Sequence, residues 1–495
     1  CQQGTGVPVC HSQSLKPRQS QRTWGCAWGW GAGGGGLEAF GCARLLASLH
    51  VAATHLSRLN HGALRGGAGS APYWLGWGYT WVPWFLMLSA FILTYSSVTK
   101  GGPASTNAVA ARGSAWAEAV EFVYKRSAGI YPLYVVSVVV ALALMFAAGT
   151  VQSEARPSAI FAQLLLVQAW LPSECEHTVQ AHCWFLSAII PFWALHPQLL
   201  RSLARWQTRS LCVLLAAIAA LPWLCLVALP QVLGVPYPYD WYANHHWQAS
   251  GKWRDIAVIT LKFHPLCYLH LYVAGMALAL VYVRAASVAR SAPARLPWLV
   301  RHGAVVGCAG LLLVFTQPVL RPPAHKLLCR LGGLAPLHAL LLVGLAVGND
   351  PFARLLRHPW LQAVGSYSYG VYIWQYHALA LWVRGDGPLG LGYWVVLLAV
   401  SMLGTHYIQQ PAARHYECCL RWLATAALVT LMLASSIPQV PWVSLVRAVI
   451  PATTAARAVP DALVYAGGVL DMRLRMRSSL AQQLLHVVQV VWPGG

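Results

Sequence analysis

Charge is what this sequence has least of. Only 9% of its 495 residues are Asp, Glu, Lys or Arg, against about 25% in an ordinary soluble protein. So few charges do not cover a soluble surface of this size. Length alone suggests about three soluble domains. Composition overrides that prior, because 57% of the residues are hydrophobic and mean hydropathy is +0.53. Acid is scarcer still: 13 Asp and Glu face 34 Lys and Arg, a formal net charge of +21. The basic residues are spread over many loops and form no dense cluster beside stacking aromatics, which argues against nucleic acid. Loop charge that sets membrane topology and meets anionic lipid fits better. The thirteen Cys include no C-x-x-C pair and no Cys/His zinc spacing, so no metal site is expected. Cys175 and Cys183 share one short polar loop, and they pair only if it faces an oxidising compartment. Cys418 and Cys419 lie at a predicted membrane edge, where palmitoylation is weakly signalled. No clean signal peptide and no internal repeat is visible.

What is present points to an all-α, multi-pass transmembrane bundle of about 10–11 spans. A crossing helix needs about 20 apolar residues. Candidate stretches run over 38–57, 81–98, 130–149, 184–200, 210–231, 265–284, 302–320, 334–349, 366–383, 389–409 and 421–438. Residues 159–171 are apolar but short, which predicts a re-entrant or interfacial helix. The 24 Trp suit membrane–water interfaces. Residues 1–36 are Gly-, Gln- and Ser-rich with no structural period, which predicts disorder. The chain starts on Cys1 rather than Met, as a fragment or a processed product does. Residues 37–417 make the membrane domain. Residues 418–495 add one more span and a tail, within which 462–476 has the pattern of a basic amphipathic surface helix.

Positive charge orients the spans. Loops 99–129, 201–209 and 285–301 and segments 350–365 and 410–420 are basic, and placing all five in the cytosol alternates the spans correctly. Arg321, Lys326 and Arg330 then fall on the far side, with the aromatic, His-bearing loop 232–263. That loop suits a polar acceptor such as a carbohydrate, or a plain interfacial cap. Which membrane is involved is open.

The residues with chemistry to offer start with Arg44 and His55. They stand eleven apart on the first span, which returns them to nearly one helix face, about 16 Å apart along the axis. A membrane-buried Arg and His face protein or a wet cavity, not lipid. The bland alternative is an interfacial Arg and a core His. His50 falls on another face. Further along come Ser89-Ala90-Phe91, then Lys125 and Arg126 ahead of Ile130-Tyr131-Pro132. Trp184-Phe185-Leu186-Ser187 opens another span, Tyr369 and Tyr372 sit in a Tyr-rich run from Gly365, and Tyr407 to Pro411 reads YIQQP. His182, His196, His264 and His270 lie near span edges and read as satisfied or interfacial. Asp350 and Asp386 read as loop residues.

In this order the set resembles the acyltransferase-3 family of membrane acyltransferases, which includes O-antigen and nodulation-factor acetylases. The resemblance covers roughly residues 37–417 and implies a ten-helix core. It implies an enzyme that moves an acyl group, acetyl foremost, from acyl-CoA to a hydroxyl of a polysaccharide, glycolipid or lipid-linked acceptor. Acyl-CoA is then a cosubstrate, with no prosthetic group. By the same resemblance His55 is the general base and Arg44 a donor-site residue. Lys125, Arg126 and Ser89 belong to the donor site, and Phe91, Tyr131, Pro132, Trp184, Ser187, Tyr369 and Tyr372 are motif residues. The chemistry agrees: a neutral His suits removal of a hydroxyl proton near pH 7, and Arg grips phosphates in a bidentate fork.

The sequence departs from the family at four points. Ile189 replaces a Glu, Gly129 an Arg, Gln375 a His and Gln409 a Glu. Those losses leave open a non-catalytic relative that binds an acyl donor, a lipid or a partner protein. Buried Arg and His also suit a transporter, although no repeat or matched pair of broken helices supports one.

Overall fold

The computed structural model describes residues 37–63, 73–99, 115–148, 156–175, 177–233, 253–291, 296–317, 328–381 and 390–414. Among the described residues every regular element is a helix. The proposed span 421–438, the surface helix 462–476, the segment 1–36, Cys418, Cys419, Asp386 and most of the aromatic loop lie outside them.

The chain opens with α1 (Ala39–Ala63) and a 3-10 segment (Tyr73–Thr80) that leads into α2 (Trp81–Thr99). An amphipathic helix, α3 (Ala115–Ser127), bends by 57° into α4 (Tyr131–Ala148). A short helix, α5 (Pro157–Leu164), and a 3-10 turn precede α6 (Trp184–Ala204) and α7 (Thr208–Leu233). Next come α8 (Trp253–Phe263), α9 (Leu269–Ser291), α10 (Gly303–Thr316) and α11 (Ala335–Val347). The short α12 (Pro351–Leu356) and α13 (Pro359–Gly365) lead to α14 (Ser368–Leu381) and α15 (Leu391–Gly404).

Six helical stretches among the described residues are long and apolar enough to cross a membrane, and the bent α3–α4 pair passes the same test when its two helices are taken together as one span. This is a multi-pass membrane protein. The six hold the expected stretches 81–98, 184–200, 210–231, 265–284, 334–349 and 389–409. Stretch 38–57 forms a full-length helix, but Arg44, His50 and His55 keep it below the hydropathy of a lipid-exposed span. Stretches 302–320 and 366–383 are helical over 14 residues each. Residues 159–171 form the short α5 and a turn and do not cross.

Lipid does not drive helices together, so close packing needs small residues. On α10 and α11 these are Gly303, Gly307 and Gly344. A Cβ at Gly307 would stand 2.7 Å from the Leu341 nitrogen, and one at Gly344 would overlap the Ala304 backbone. Gly275 on α9 lies directly against the Met87 backbone of α2. By contrast, only 17% of the α7 span window is buried. With Val213, Trp223, Leu224 and Val227 exposed, α7 is the lipid-facing rim.

Asp350 is fully buried and joins two helix starts. Its Oδ1 accepts from the Ala353 N–H (2.7 Å), capping α12, and its Oδ2 accepts from Ala304 (2.9 Å) and Val305 (3.2 Å) at the start of α10. The carboxylate thus serves three of the backbone donors that helix N-termini leave unpaired. Asp350→Ala is expected to destabilise the protein by at least about 2 kcal/mol. Unfolding followed by heating in detergent checks it; an unchanged melting point contradicts the capping role.

Tyrosine hydroxyls tie the short α5 into the bundle. Tyr131 donates to the Leu164 carbonyl (2.7 Å) and Tyr134 to Gln163 (2.6 Å), at the carbonyl end of α5. Leu166 then takes a left-handed φ of 55° to turn the chain back, and Ser187 accepts from the Ala169 N–H. At the α3–α4 bend, where Pro132 carries no N–H, Tyr369 donates to Ile130 and Gln409 to Gly129. Cys175 and Cys183 are buried and form no disulfide with each other.

Candidate active site

The site forms where α1 and α14 run side by side in the same direction. Arg44 and His55 share one stripe of α1. Ser368 and Gln375, seven residues apart, share one stripe of α14. The stripes meet at two points. Arg44 donates from Nε to the Ser368 hydroxyl at 2.5 Å. His55 Nδ1 lies 2.8 Å from the Gln375 side-chain oxygen. Both contacts join residues more than 300 positions apart in the chain.

The second contact settles the histidine tautomer. The Gln375 amide nitrogen donates to the Tyr372 carbonyl at 2.8 Å. A carbonyl only accepts, so the amide oxygen faces His55. That oxygen also only accepts, so Nδ1 carries the proton and Nε2 is the basic nitrogen. The position expected to hold a His therefore carries a residue that orients the proposed base. His55 is half-buried, whereas Arg44 is buried.

Two rings that sequence reasoning set aside or did not name close around His55. Tyr376 lies 5.1 Å from it, centroid to centroid, and His182 lies 4.7 Å from Tyr376 and 6.4 Å from His55. Tyr372 donates its hydroxyl to the His182 carbonyl at 2.6 Å and so holds that turn in place. The usable signal was the stripe Ser368–Gln375 itself, which continues to Tyr376. Nothing local to residue 182 pointed across to α1.

The other proposed site residues are not all gathered here. Lys125 is exposed and pairs with Glu121 one turn back on α3. The Arg126 guanidinium lies 5.2 Å over the Phe122 ring, and Phe122 stacks on His196 at 5.1 Å. His196 in turn meets the Tyr272 hydroxyl at 3.0 Å. Ser89 is buried on α2, and its hydroxyl makes no hydrogen bond with the described residues. Phe91 packs between Phe40 (5.9 Å) and Tyr282 (5.7 Å). Trp184 packs on Phe263 and Tyr268, with Arg330 over its face. Ile189 is fully buried in the apolar core. Tyr131, Tyr369, Tyr372 and Ser187 spend their hydroxyls on backbone groups, as above.

His50 has a structural role. It accepts from the Trp81 indole N–H at Nδ1 (2.8 Å), and its Nε2 donates to the Trp74 carbonyl (2.9 Å). His377 is held by Ser137 and Gln180. Among the described residues no group of three or more His, Cys, Asp or Glu is placed to hold a metal ion.

The arrangement sets an imidazole, held through Nδ1, and a buried Arg three turns apart on one face of α1. That is equipment for activating a hydroxyl beside an anionic ligand. No curated protein and no solved structure matches the chain. A family model described as an acyltransferase domain, Acyl_transf_3, does match it over residues 37–409. The match spans α1 to the turn after α15 and takes in both Arg44 and His55. The chain belongs to the acyltransferase-3 family of membrane acyltransferases.

Proposed function

We propose that this protein transfers a short acyl group, acetyl foremost, from acyl-CoA to a hydroxyl of a carbohydrate or lipid-linked acceptor. The observation that carries the reading is the His55–Gln375 hydrogen bond, which leaves Nε2 as the basic nitrogen. His55 takes the acceptor's hydroxyl proton and the oxygen attacks the thioester carbonyl carbon. As the C–O bond forms and the C–S bond breaks, the CoA thiolate leaves and takes the proton from His55. A positioned base of this kind contributes about 10²–10⁴-fold. Arg44, together with Arg126, Lys125 and Ser89, holds the donor. Its phosphates suit guanidinium groups at the basic, cytosolic ends of the spans. The acceptor approaches from the opposite side, near Trp184.

Vesicles bearing the purified protein, given acetyl-CoA with a labelled acetyl group and a crude glycolipid extract, test the reading. Label is expected to appear as a hydroxylamine-labile ester on the extract. Label that stays on CoA, with every extract and acyl length tried, contradicts it. Gln375→Leu removes the acceptor that fixes the His55 tautomer. It is expected to lower kcat about tenfold, the worth of one hydrogen bond, and to leave donor affinity unchanged. A loss confined to donor affinity contradicts the orienting role.

A further inference from the structure

We propose that the outer face of α7 holds one anionic phospholipid, with its headgroup on Arg205 and Arg209 and an acyl chain laid along Val213, Leu214 and Ala217. The site uses neither Arg44 nor His55 and is independent of the acyl-transfer reading. Shape, length and charge point to that ligand.

The shape is a groove of about 450 Å³, lined by Trp206, Arg209, Ser210, Val213, Leu214 and Ala217. The five positions on α7 fall within about 140° of one another around the helix. Leu211 and Ile218, on its other side, are buried and face the bundle, while Trp206 and Val213 are exposed. With 17% of this span window buried, the groove opens on the membrane.

The length is that of one leaflet. From Arg209 to Ala217 the helix rises about 12 Å, and Trp206 extends the groove beyond Arg209. Half of the hydrocarbon core is about 15 Å. The order of side chains along the groove is also that of a phospholipid. Guanidinium, hydroxyl and indole lie at the basic end, which the positive-inside rule puts in the cytosol, and aliphatic side chains follow towards the midplane.

The charge is unbalanced. Arg284 of α9 donates to the Ala204 carbonyl (3.0 Å) and the Thr208 hydroxyl (3.2 Å), which pins the turn that carries Arg205 and Arg209 and adds a third cation to them. Arg201, one turn earlier, is paired with Glu118. Arg205, Arg209 and Arg284 form no ion pair among the described residues. Three such cations at the end of a lipid-facing helix attract the anionic headgroups of the cytosolic leaflet. A zwitterionic headgroup brings its own cation to the same place and gains less. Inorganic phosphate meets the same guanidinium groups but leaves Val213, Leu214 and Ala217 uncovered, so the groove favours the lipid.

Native mass spectrometry of the full chain in detergent, with equimolar dioleoylphosphatidylglycerol and dioleoylphosphatidylcholine, tests the site. The native chain is expected to retain one phosphatidylglycerol in preference to phosphatidylcholine. Arg205→Gln/Arg209→Gln is expected to bind phosphatidylglycerol about 30-fold more weakly, the product of two near-surface charges, and to bind phosphatidylcholine as the native chain does. Ala217→Trp fills the apolar end, leaves every Arg in place and is expected to lower retention of both lipids at least about tenfold. The two variants change opposite ends of the groove, so misfolding of one leaves the other as the test. Equal retention of the two lipids by the native chain overturns the proposal, as does native phosphatidylglycerol affinity in either variant. Release of phosphatidylglycerol by inorganic phosphate, but not by sodium chloride of equal ionic strength, assigns the cations to a free anion and overturns it too. A native dimer that Ala217→Trp splits gives the groove to a second copy of the chain and has the same consequence.

Discussion

His55→Ala protein is expected to bind acyl-CoA as the native chain does and to turn it over about 10²–10⁴-fold more slowly. The reason lies in the division of labour along α1. His55 spends Nδ1 on Gln375; in the proposed mechanism it offers Nε2 to the reaction, while the donor's phosphates are assigned to Arg44 about 16 Å away along the helix. Removing the imidazole takes away the acceptor for the hydroxyl proton and touches nothing that grips the phosphates. The cost therefore falls on kcat, the pattern of an interaction made only in the transition state. A His55→Gln variant sharpens the point: it keeps a polar side chain against Gln375 but supplies no base, so its kcat is expected to match that of His55→Ala. Substantial turnover in either variant assigns the proton to another group, and equal losses in kcat and donor affinity recast His55 as a binding residue. Calorimetric titration with a non-hydrolysable thioether analogue of acetyl-CoA, beside a turnover assay, separates these outcomes.

Arg44→Ala is expected to do the opposite. Hydrogen bonds from a charged donor are worth about 1.5–3 kcal/mol each, so donor affinity is expected to fall about 10–150-fold, with kcat at saturating donor changed only a few-fold. Arg44→Lys keeps the charge but not the planar fork, and it loses the Nε–H that Ser368 receives; an intermediate affinity is expected. Ser368→Ala removes the anchor without removing charge and is expected to cost less than either. An Arg44→Ala protein with native donor affinity and no turnover contradicts the assignment and moves Arg44 to the reaction itself.

The membrane class was legible because it is a property of composition: 9% charge and 57% hydrophobic residues admit little else. The common face of Arg44 and His55 was legible because helical period fixes it. The short helix at 159–171 followed from its length alone. What stayed hidden were pairings between helices distant in sequence. Gln375 read as a departure from the family, and only the packing of α14 on α1 shows that its amide orients His55. His182 read as interfacial because nothing near it in sequence reveals that Tyr376 and His55 close over its ring. Asp350 read as a loop residue, although the three N–H groups it receives come from two helices about 50 positions apart. Tyr131, Tyr369 and Tyr372 stood out as motif residues with no stated task. Their hydroxyls are committed to backbone carbonyls at the α5 end, the α3–α4 bend and the His182 turn, where regular helix bonding stops. Gln409 does the same at Gly129. In a protein with 13 acidic residues, neutral amides and phenols take much of this bonding without burying charge.

The most direct test of acyl transfer uses purified native protein in detergent with acetyl-CoA and no acceptor added, water standing in for the hydroxyl. Saturable donor binding and slow, enzyme-dependent release of free CoA thiol are expected. Folded, monodisperse protein that neither binds nor cleaves acetyl-CoA or acyl-CoA of any longer chain would contradict the assigned reaction.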